Sequence, residues 1–170
     1  MEPVPGVTFV LGGARAGKST YAERLATESG LPVCYIATAA AGDDEMAARI
    51  AAHRAARDPA WTTIEAPLDI AAALAAEPER LALVDCLTLW LSNLMLGGHD
   101  VEAATAALLA ALARRATPVI LVANEVGLGI VPDNPLARAY RDAHGRLNQR
   151  VATAADRVLF IAAGLPLVLK

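Results

Sequence analysis

The sequence predicts an α/β domain with a mostly parallel central sheet and helices packed on both faces. Two observations carry that prediction. Short apolar runs of strand length alternate with longer, alanine-rich runs of helical period along the chain, the pattern of parallel strands joined by helical crossovers. The strand-like runs are apolar at nearly every position rather than at alternate ones, as they must be when both faces of a sheet are covered. The 170 residues suit one domain spanning 1–170, and a hydrophobic content of 55% separates the chain from disordered ones.

The elements follow in order. "VTFVLG" (7–12) is a strand, and "KSTYAERLATES" (18–29) a helix. "PVCYIAT" (32–38) is a second strand, followed by a helix from about Asp43 to Arg57 and a short strand at "WTTIE" (61–65). "LDIAAALAAE" (68–77) is helical, "LALVD" (81–85) a strand, and "CLTLWLSNLML" (86–96) a largely buried helix. A strong helix covers 101–115, a strand 118–124, and a long helix 134–156, with Gly145 predicting an interruption. "RVLFIAA" (157–163) is the last clear strand, with a further short one in "PLVLK" (166–170).

Composition narrows the class. A net charge of −3 argues against a general nucleic-acid binder. "MEPVPG" has no basic start, and the longest apolar run is interrupted by Asp85 and Asn93, so neither a secretory leader nor a membrane span is expected. Cys34 and Cys86 are too few for a disulfide framework and read as buried free thiols, which points to the cytoplasm. Of the 15 basic residues only Lys18 and Lys170 are lysine. A chain that uses arginine almost everywhere keeps an internal lysine where a compact point charge is needed.

Lys18 lies in "GGARAGKS" (12–19), which satisfies G-x-x-x-x-G-K-[ST] through Gly12, Gly17, Lys18 and Ser19, after an apolar strand and at the start of a helix. Glycines let the backbone N–H groups converge on phosphate oxygens, the helix start adds partial positive charge, Lys18 reaches the β/γ-phosphates, and Ser19 offers a hydroxyl to Mg²⁺. The metal's second ligand is expected at the end of another buried strand, where "LALVD" supplies Asp85. The expected architecture is therefore a three-layer P-loop NTPase (RecA-like) fold with a mostly parallel central sheet. The guanine reader of regulatory GTPases is absent from "VANEVG" (122–127), and size and charge disfavour a DNA motor.

"RIAAHRAAR" (49–57) raises a separate question. On a helix Glu45, Arg49, His53 and Arg57 share one face, while Met46, Ala47 and Ile50 can face the sheet. That row is either a solvated charged face or an anion-binding face that presents an imidazole nucleophile to a phosphate, and spacing alone favours the former. His99, in "GGHD", reads as a loop residue, and His144 as a structural or solvated residue on a charged helix. Glu65 is a candidate base for a phosphoryl transfer and equally a ribose contact. Glu125 follows a strand end, where open α/β sheets bind ligands, and is equally a turn cap.

The motifs together resemble the bifunctional adenosylcobinamide kinase/adenosylcobinamide-phosphate guanylyltransferase family. The resemblance rests on "GGARAGKS", "YIATA", "DDEMAARIAAHRAAR", "WTTIEAP", "VDCLTLWLSNLM", "NEVGLGIVPDNPLARAYRDAHGRLNQ" and "AAGLPLVLK". Ala16 departs from the serine more usual in that family, at a loop position read mainly through its backbone. The resemblance implies phosphorylation of adenosylcobinamide by ATP or GTP, then transfer of GMP from GTP to the phosphate formed, with release of pyrophosphate. It implies His53 as the guanylylated nucleophile and Lys18 as the second catalytic residue. The implied nucleotide contacts are Gly12, Gly13, Ala14, Arg15, Ala16, Gly17, Lys18, Ser19, Ala37, Thr38, Ala39, Arg54, Arg57, Glu65 and Asp85, with Ser19 and Asp85 as Mg²⁺ ligands. A homotrimer is implied as well. A simpler kinase, or a nucleotide switch without transfer chemistry, are the competing readings.

Overall fold

The computed structural model describes residues 4–40, 47, 48, 51, 55 and 58–170. These form strands β1 (Val7–Gly12), β2 (Val33–Ala37), β3 (Thr62–Glu65), β4 (Leu81–Asp85), β5 (Val119–Asn124), β6 (Arg157–Ala162) and β7 (Leu165–Val168). The helices are α1 (Lys18–Glu28), α2 (Ile70–Ala76), α3 (Leu87–Leu96), α4 (Val101–Arg114) and α5 (Pro135–Ala154). The strands make one sheet in the order β3-β2-β4-β5-β1-β6-β7. All neighbours are parallel except β6 and β7.

The near-continuous apolar strands do what their composition requires. Successive residues point to opposite faces, and both faces are filled. Phe9, Leu11, Ile36, Val84 and Leu121 pack into one core with Trp90, Leu91, Leu108 and Leu147 from the helices on that side. Val10, Tyr35, Leu83, Ile120 and Leu159 pack into the other, against Tyr21, Ala22 and Ala26 of α1. The result is the expected three-layer sandwich. Three of the helix starts are capped by side chains. Asp69, Asp100 and Asn134 accept from the backbone N–H groups of Ala72, Ala103 and Ala137, and Pro135 follows at the first turn of α5.

Three differences from the sequence reading have physical causes. Helix α5 runs unbroken through Gly145. No atom lies within 4 Å of where a Cβ would stand there. The propensity penalty of a helical glycine, about 1 kcal/mol, is outweighed by the buried face of Leu147 and Val151. Strand β7 starts at Leu165, lies antiparallel, and is exposed along its length, so coverage of both faces stops short of this edge. Its hairpin needs only the tight turn of Ala163 and Gly164, both at positive φ. Finally, Ala47 is helical but exposed rather than turned to the sheet, as are Ala48, Ala51 and Ala55. Asp43, Glu45, Met46, Arg49, Ile50, His53, Arg54 and Arg57 lie outside the described residues.

Two basic side chains close helix ends. Lys170 donates from Nζ to the carbonyls of Ala152, Thr153 and Ala155 at 3.3, 3.2 and 2.6 Å, satisfying the end of α5. Arg115 donates to the carbonyls of Leu74, Glu77 and Arg80, spanning the end of α2 and the turn into β4. The two terminal nitrogens of its planar fork divide the three carbonyls between them, Nη1 taking Leu74 and Nη2 taking Glu77 and Arg80. Arg115→Ala should therefore lower unfolding free energy by about 2 kcal/mol in urea titration, with Arg115→Lys recovering less than half.

Candidate active site

The loop between β1 and α1 is shaped by two glycines. Gly12 has φ 157°, and a Cβ there would stand 2.4 Å from the carbonyl oxygen of Ile161 on β6. Gly17 caps α1 at φ 95° and lies against the Gly164 Cα, 3.3 Å from where its own Cβ would be. The Gly164 N–H donates to the Ala16 carbonyl at 2.9 Å, so the tip of the β6–β7 hairpin buttresses the loop. Ala14 and Arg15 are exposed at the loop crest, with Arg15 at φ 55°. Ala16 N–H bonds to Gly13 O at 3.3 Å, within the loop itself.

Lys18 is buried, and its Nζ donates to the Gly13 carbonyl at 2.6 Å. Burial pulls its ammonium below the usual lysine range, while Cys86 and Asp85 pull the other way. Ser19 follows, half-buried in the first helical turn.

The strand register aligns the other expected residues along the sheet's carboxyl edge. Gly12 pairs with Asn124 and Ile161, Asp85 with Val122 and Ala37, and Ala37 with Glu65. Strand β5 lies between β1 and β4, so Asp85 stands two strand spacings, roughly 10 Å, from the phosphate-loop strand. Asp85 is half-buried, and its Oδ2 accepts from the Tyr35 hydroxyl at 3.0 Å. Tyr35 is in turn stacked on Trp61. The Asp85–Cys86 peptide is cis. Cys86 is a half-buried thiol rather than a fully buried one, and burial, with Asp85 beside it, pushes it up to about 11. Cys34 is buried, as expected.

Thr38 is fully buried, and its hydroxyl is committed at both ends. It donates to the Cys86 carbonyl at 2.7 Å and accepts the Cys86 N–H at 2.8 Å. Its hydroxyl thus ties the end of β2 to the end of β4. Ala37 is buried and Ala39 half-buried beside it. Asn93 donates to the carbonyls of Thr38 and Pro67, and the Trp90 indole donates to Leu68. The segment "LTLWLSNL", read from sequence as core, also fixes the turns after β2 and β3.

Glu125 follows β5. Its N–H donates to the Gly12 carbonyl at 2.9 Å, and its Oε1 accepts from Gly127 N–H at 2.5 Å. Glu65 is exposed at the end of β3, four spacings and roughly 19 Å from β1. His99 is an exposed loop residue, as expected.

His144, read as structural or solvated, is structural: it is 0% exposed. Its Nε2 lies 3.1 Å from the Thr88 hydroxyl, which also accepts the Asn124 N–H at 2.7 Å. Sequence reasoning passed over Thr88, Tyr140 and Asn148. The signal available was the i, i+4, i+8 spacing of Tyr140, His144 and Asn148 on one helix.

This fold, with its glycine loop, buried lysine and acid-bearing strand ends, defines a P-loop NTPase of RecA-like layout. The same fold is seen in the flagellar accessory protein FlaH from Methanocaldococcus jannaschii, at TM-score 0.59 and 15% identity over 99% of this chain and 79% of that one. It is seen also in a type III secretion system ATPase, at TM-score 0.58 and 11% identity over 97% of this chain and 57% of that one. Residues 8–169 match the family described as cobinamide kinase / cobinamide phosphate guanyltransferase, and the chain belongs to that family. It is 54% identical to the bifunctional adenosylcobalamin biosynthesis protein CobP of Pseudomonas aeruginosa, over 95% of this chain and 96% of that one. It is 40% identical to the bifunctional adenosylcobalamin biosynthesis protein CobU of Salmonella typhimurium, over 95% of this chain and 98% of that one.

Two outcomes follow. Gly12→Ala forces a methyl into the Ile161 carbonyl, so the loop must move; nucleotide affinity measured by fluorescence titration should fall by two orders of magnitude or about that. His144 is held below its ordinary value of 6.5 chiefly by burial, with Glu125 opposing. Below that pH the unfolded chain takes up a proton that the folded chain resists, so stability should fall as pH drops through and below about 6.5. His144→Gln should remove that component from the pH dependence of the urea midpoint.

Proposed function

We propose that this chain phosphorylates adenosylcobinamide with a nucleoside triphosphate and then transfers GMP from GTP to the resulting phosphate, releasing pyrophosphate. The observation that carries this reading is the convergence of the phosphate loop, Asp85 and Glu125 on one sheet edge, in a chain that matches the kinase/guanyltransferase family over residues 8–169. The whole of 1–170 acts as one catalytic domain in this reading.

In the phosphoryl transfer, the N–H groups of residues 13–15 and 17–19 and the Lys18 ammonium hold the β- and γ-phosphates. Lys18 exchanges its bond to the Gly13 carbonyl for phosphate oxygens. Ser19 and Asp85 offer hard oxygen donors, and the Tyr35 bond to Oδ2 leaves Asp85 Oδ1 for a cation. That donor set suits Mg²⁺, which when bound neutralises developing phosphate charge. Glu125 takes the proton of the acceptor hydroxyl. Distance supports it over Glu65, because Glu125 is bonded through its backbone to the loop itself, while Glu65 stands four strands away. Glu65 is better placed to meet the nucleoside end of a nucleotide. Thr38 supports that end through backbone geometry, and Arg54 and Arg57 supply charge to the phosphates.

Beside Glu125, a cleft of about 500 Å³ opens between α3 and α5, lined by Met95, Leu96, Val126, Leu136, Tyr140 and Arg141. Nearby Leu128 and Ile130 are 81% and 98% exposed. Apolar walls of this kind suit one face of a large, flat acceptor. A homotrimer that encloses the acceptor belongs to the same reading.

For GMP transfer, the neutral imidazole of His53 attacks the α-phosphorus of GTP. A P–N bond forms, the bond from the α-phosphorus to the bridging oxygen breaks, and pyrophosphate leaves from Lys18. The acceptor phosphate oxygen then attacks the same phosphorus and frees the ring. The segment that carries His53 leaves the sheet at residues 38–40, beside Asp85. Incubation of the protein with GTP and Mg²⁺ should give a GMP adduct by intact mass, acid-labile and base-stable, that maps to His53. His53→Asn should lose the adduct and GMP transfer but keep kinase turnover. Full guanylylation of that variant would overturn the assignment.

A further inference from the structure

We infer that Tyr140, His144 and Asn148 form a positioning stripe that seats Glu125 against the phosphate loop for phosphoryl transfer, and that the guanylyl transfer does not use it. The inference rests on the reading of Glu125 as the kinase base. The three residues recur at i, i+4 and i+8 on α5, so they share its inward face. Tyr140 donates from its hydroxyl to the Thr88 carbonyl at 2.8 Å. His144 Nε2 meets the Thr88 hydroxyl at 3.1 Å. Asn148 Nδ2 donates to the Asn124 carbonyl at 3.3 Å.

Thr88 and Asn124 are the pivots. Thr88 lies three residues beyond Asp85, and Asn124 immediately precedes Glu125. The Asn124 N–H donates to the Thr88 hydroxyl at 2.7 Å, and the Glu125 N–H to the Gly12 carbonyl at 2.9 Å. One peptide segment is thereby fixed by α3, α5 and the phosphate loop together. The stripe thus holds the backbone on which Glu125 sits, directly at Asn124 and indirectly through Thr88.

Packing alone does not call for these residues. His144 Nδ1 and Asn148 Oδ1 are buried with no hydrogen-bond partner among the described residues. An apolar side chain would fill the same space without desolvating them. In a chain so rich in alanine, leucine and valine, three polar side chains on the packed face of one helix, His144 and Asn148 buried and Tyr140 half-buried, are explained by what they hold. What they hold is the backbone of the group that takes the acceptor's proton. Attack at the α-phosphorus by His53 needs no such base, so the two half-reactions should respond differently.

Both half-reactions are measured on the full chain: ATP-dependent phosphorylation of cobinamide at steady state, and single-turnover formation of the acid-labile GMP–protein adduct. Thr88→Val and His144→Phe should lower kinase kcat by at least about tenfold, with nucleotide KM and adduct formation within about twofold of the parent. His144→Gln, whose amide can meet Thr88 where Nε2 does, should recover kinase kcat to within about threefold. The double variant Thr88→Val/His144→Phe should be no slower than the slower single one. Unchanged kinase kcat in both single variants overturns the inference, and so does an equal fall of both half-reactions, which marks a purely structural role. Should His144→Phe not fold, Thr88→Val alone decides. Glu125→Gln separates the two levels. Full kinase activity in that variant overturns the base assignment itself, whereas its inactivity beside an unimpaired Thr88→Val overturns only the stripe.

Discussion

The approach of Gly12 to the Ile161 carbonyl sets the terms for the rest of the molecule. With 2.4 Å between that oxygen and any Cβ at position 12, β1 and β6 close to a distance that no side chain permits. The loop then leaves β1 directly over the sheet edge, the hairpin tip at Gly164 reaches Ala16 and Gly17, and the Glu125 N–H reaches the Gly12 carbonyl. A phosphate cradle is a matter of backbone direction, and here that direction is inherited from two neighbouring strands rather than from the loop.

The placement of β5 between β1 and β4 has a chemical result. The inserted strand moves Asp85 one place out and puts Glu125 between it and the loop, backbone-bonded to the latter. Two carboxylates thereby stand on one sheet edge at the ends of adjacent strands. The polar contacts below them run through Thr88 and Thr38, each of which spends its hydroxyl on backbone groups of adjacent segments. Rigidity is thus concentrated at the strand ends, where the side chains must be aimed.

Much of this was legible because strands and phosphate loops are local features. β1 and β4 have the expected limits, and the loop motif places Lys18 and Ser19 without any tertiary knowledge. Gly145 misled because propensity is a weak prior once a helix buries a full apolar face. Of the two readings open for His144 the structural one holds, because burial is decided by the residues four away on each side and not by its charged neighbours in sequence. Thr38 lies where expected, but its hydroxyl answers to Cys86, 48 residues distant in the chain, a partner that no local pattern could reveal. The roles proposed for His53, Arg54 and Arg57 rest on the family resemblance alone, since those residues lie outside the described ones.

The outer edge of β7 shows how this fold coexists with itself at high concentration. Leu165, Leu167, Val168 and Leu169 are all exposed, and an open strand of that composition is a template for another chain to extend. The Leu169 N–H points inward, to the Val158 carbonyl. By alternation the groups of residues 166 and 168 point outward. The first of these is Pro166, which has no N–H to give. An incoming strand therefore finds a single donor where it would need two in succession, and growth of one sheet into the next is interrupted at its first step.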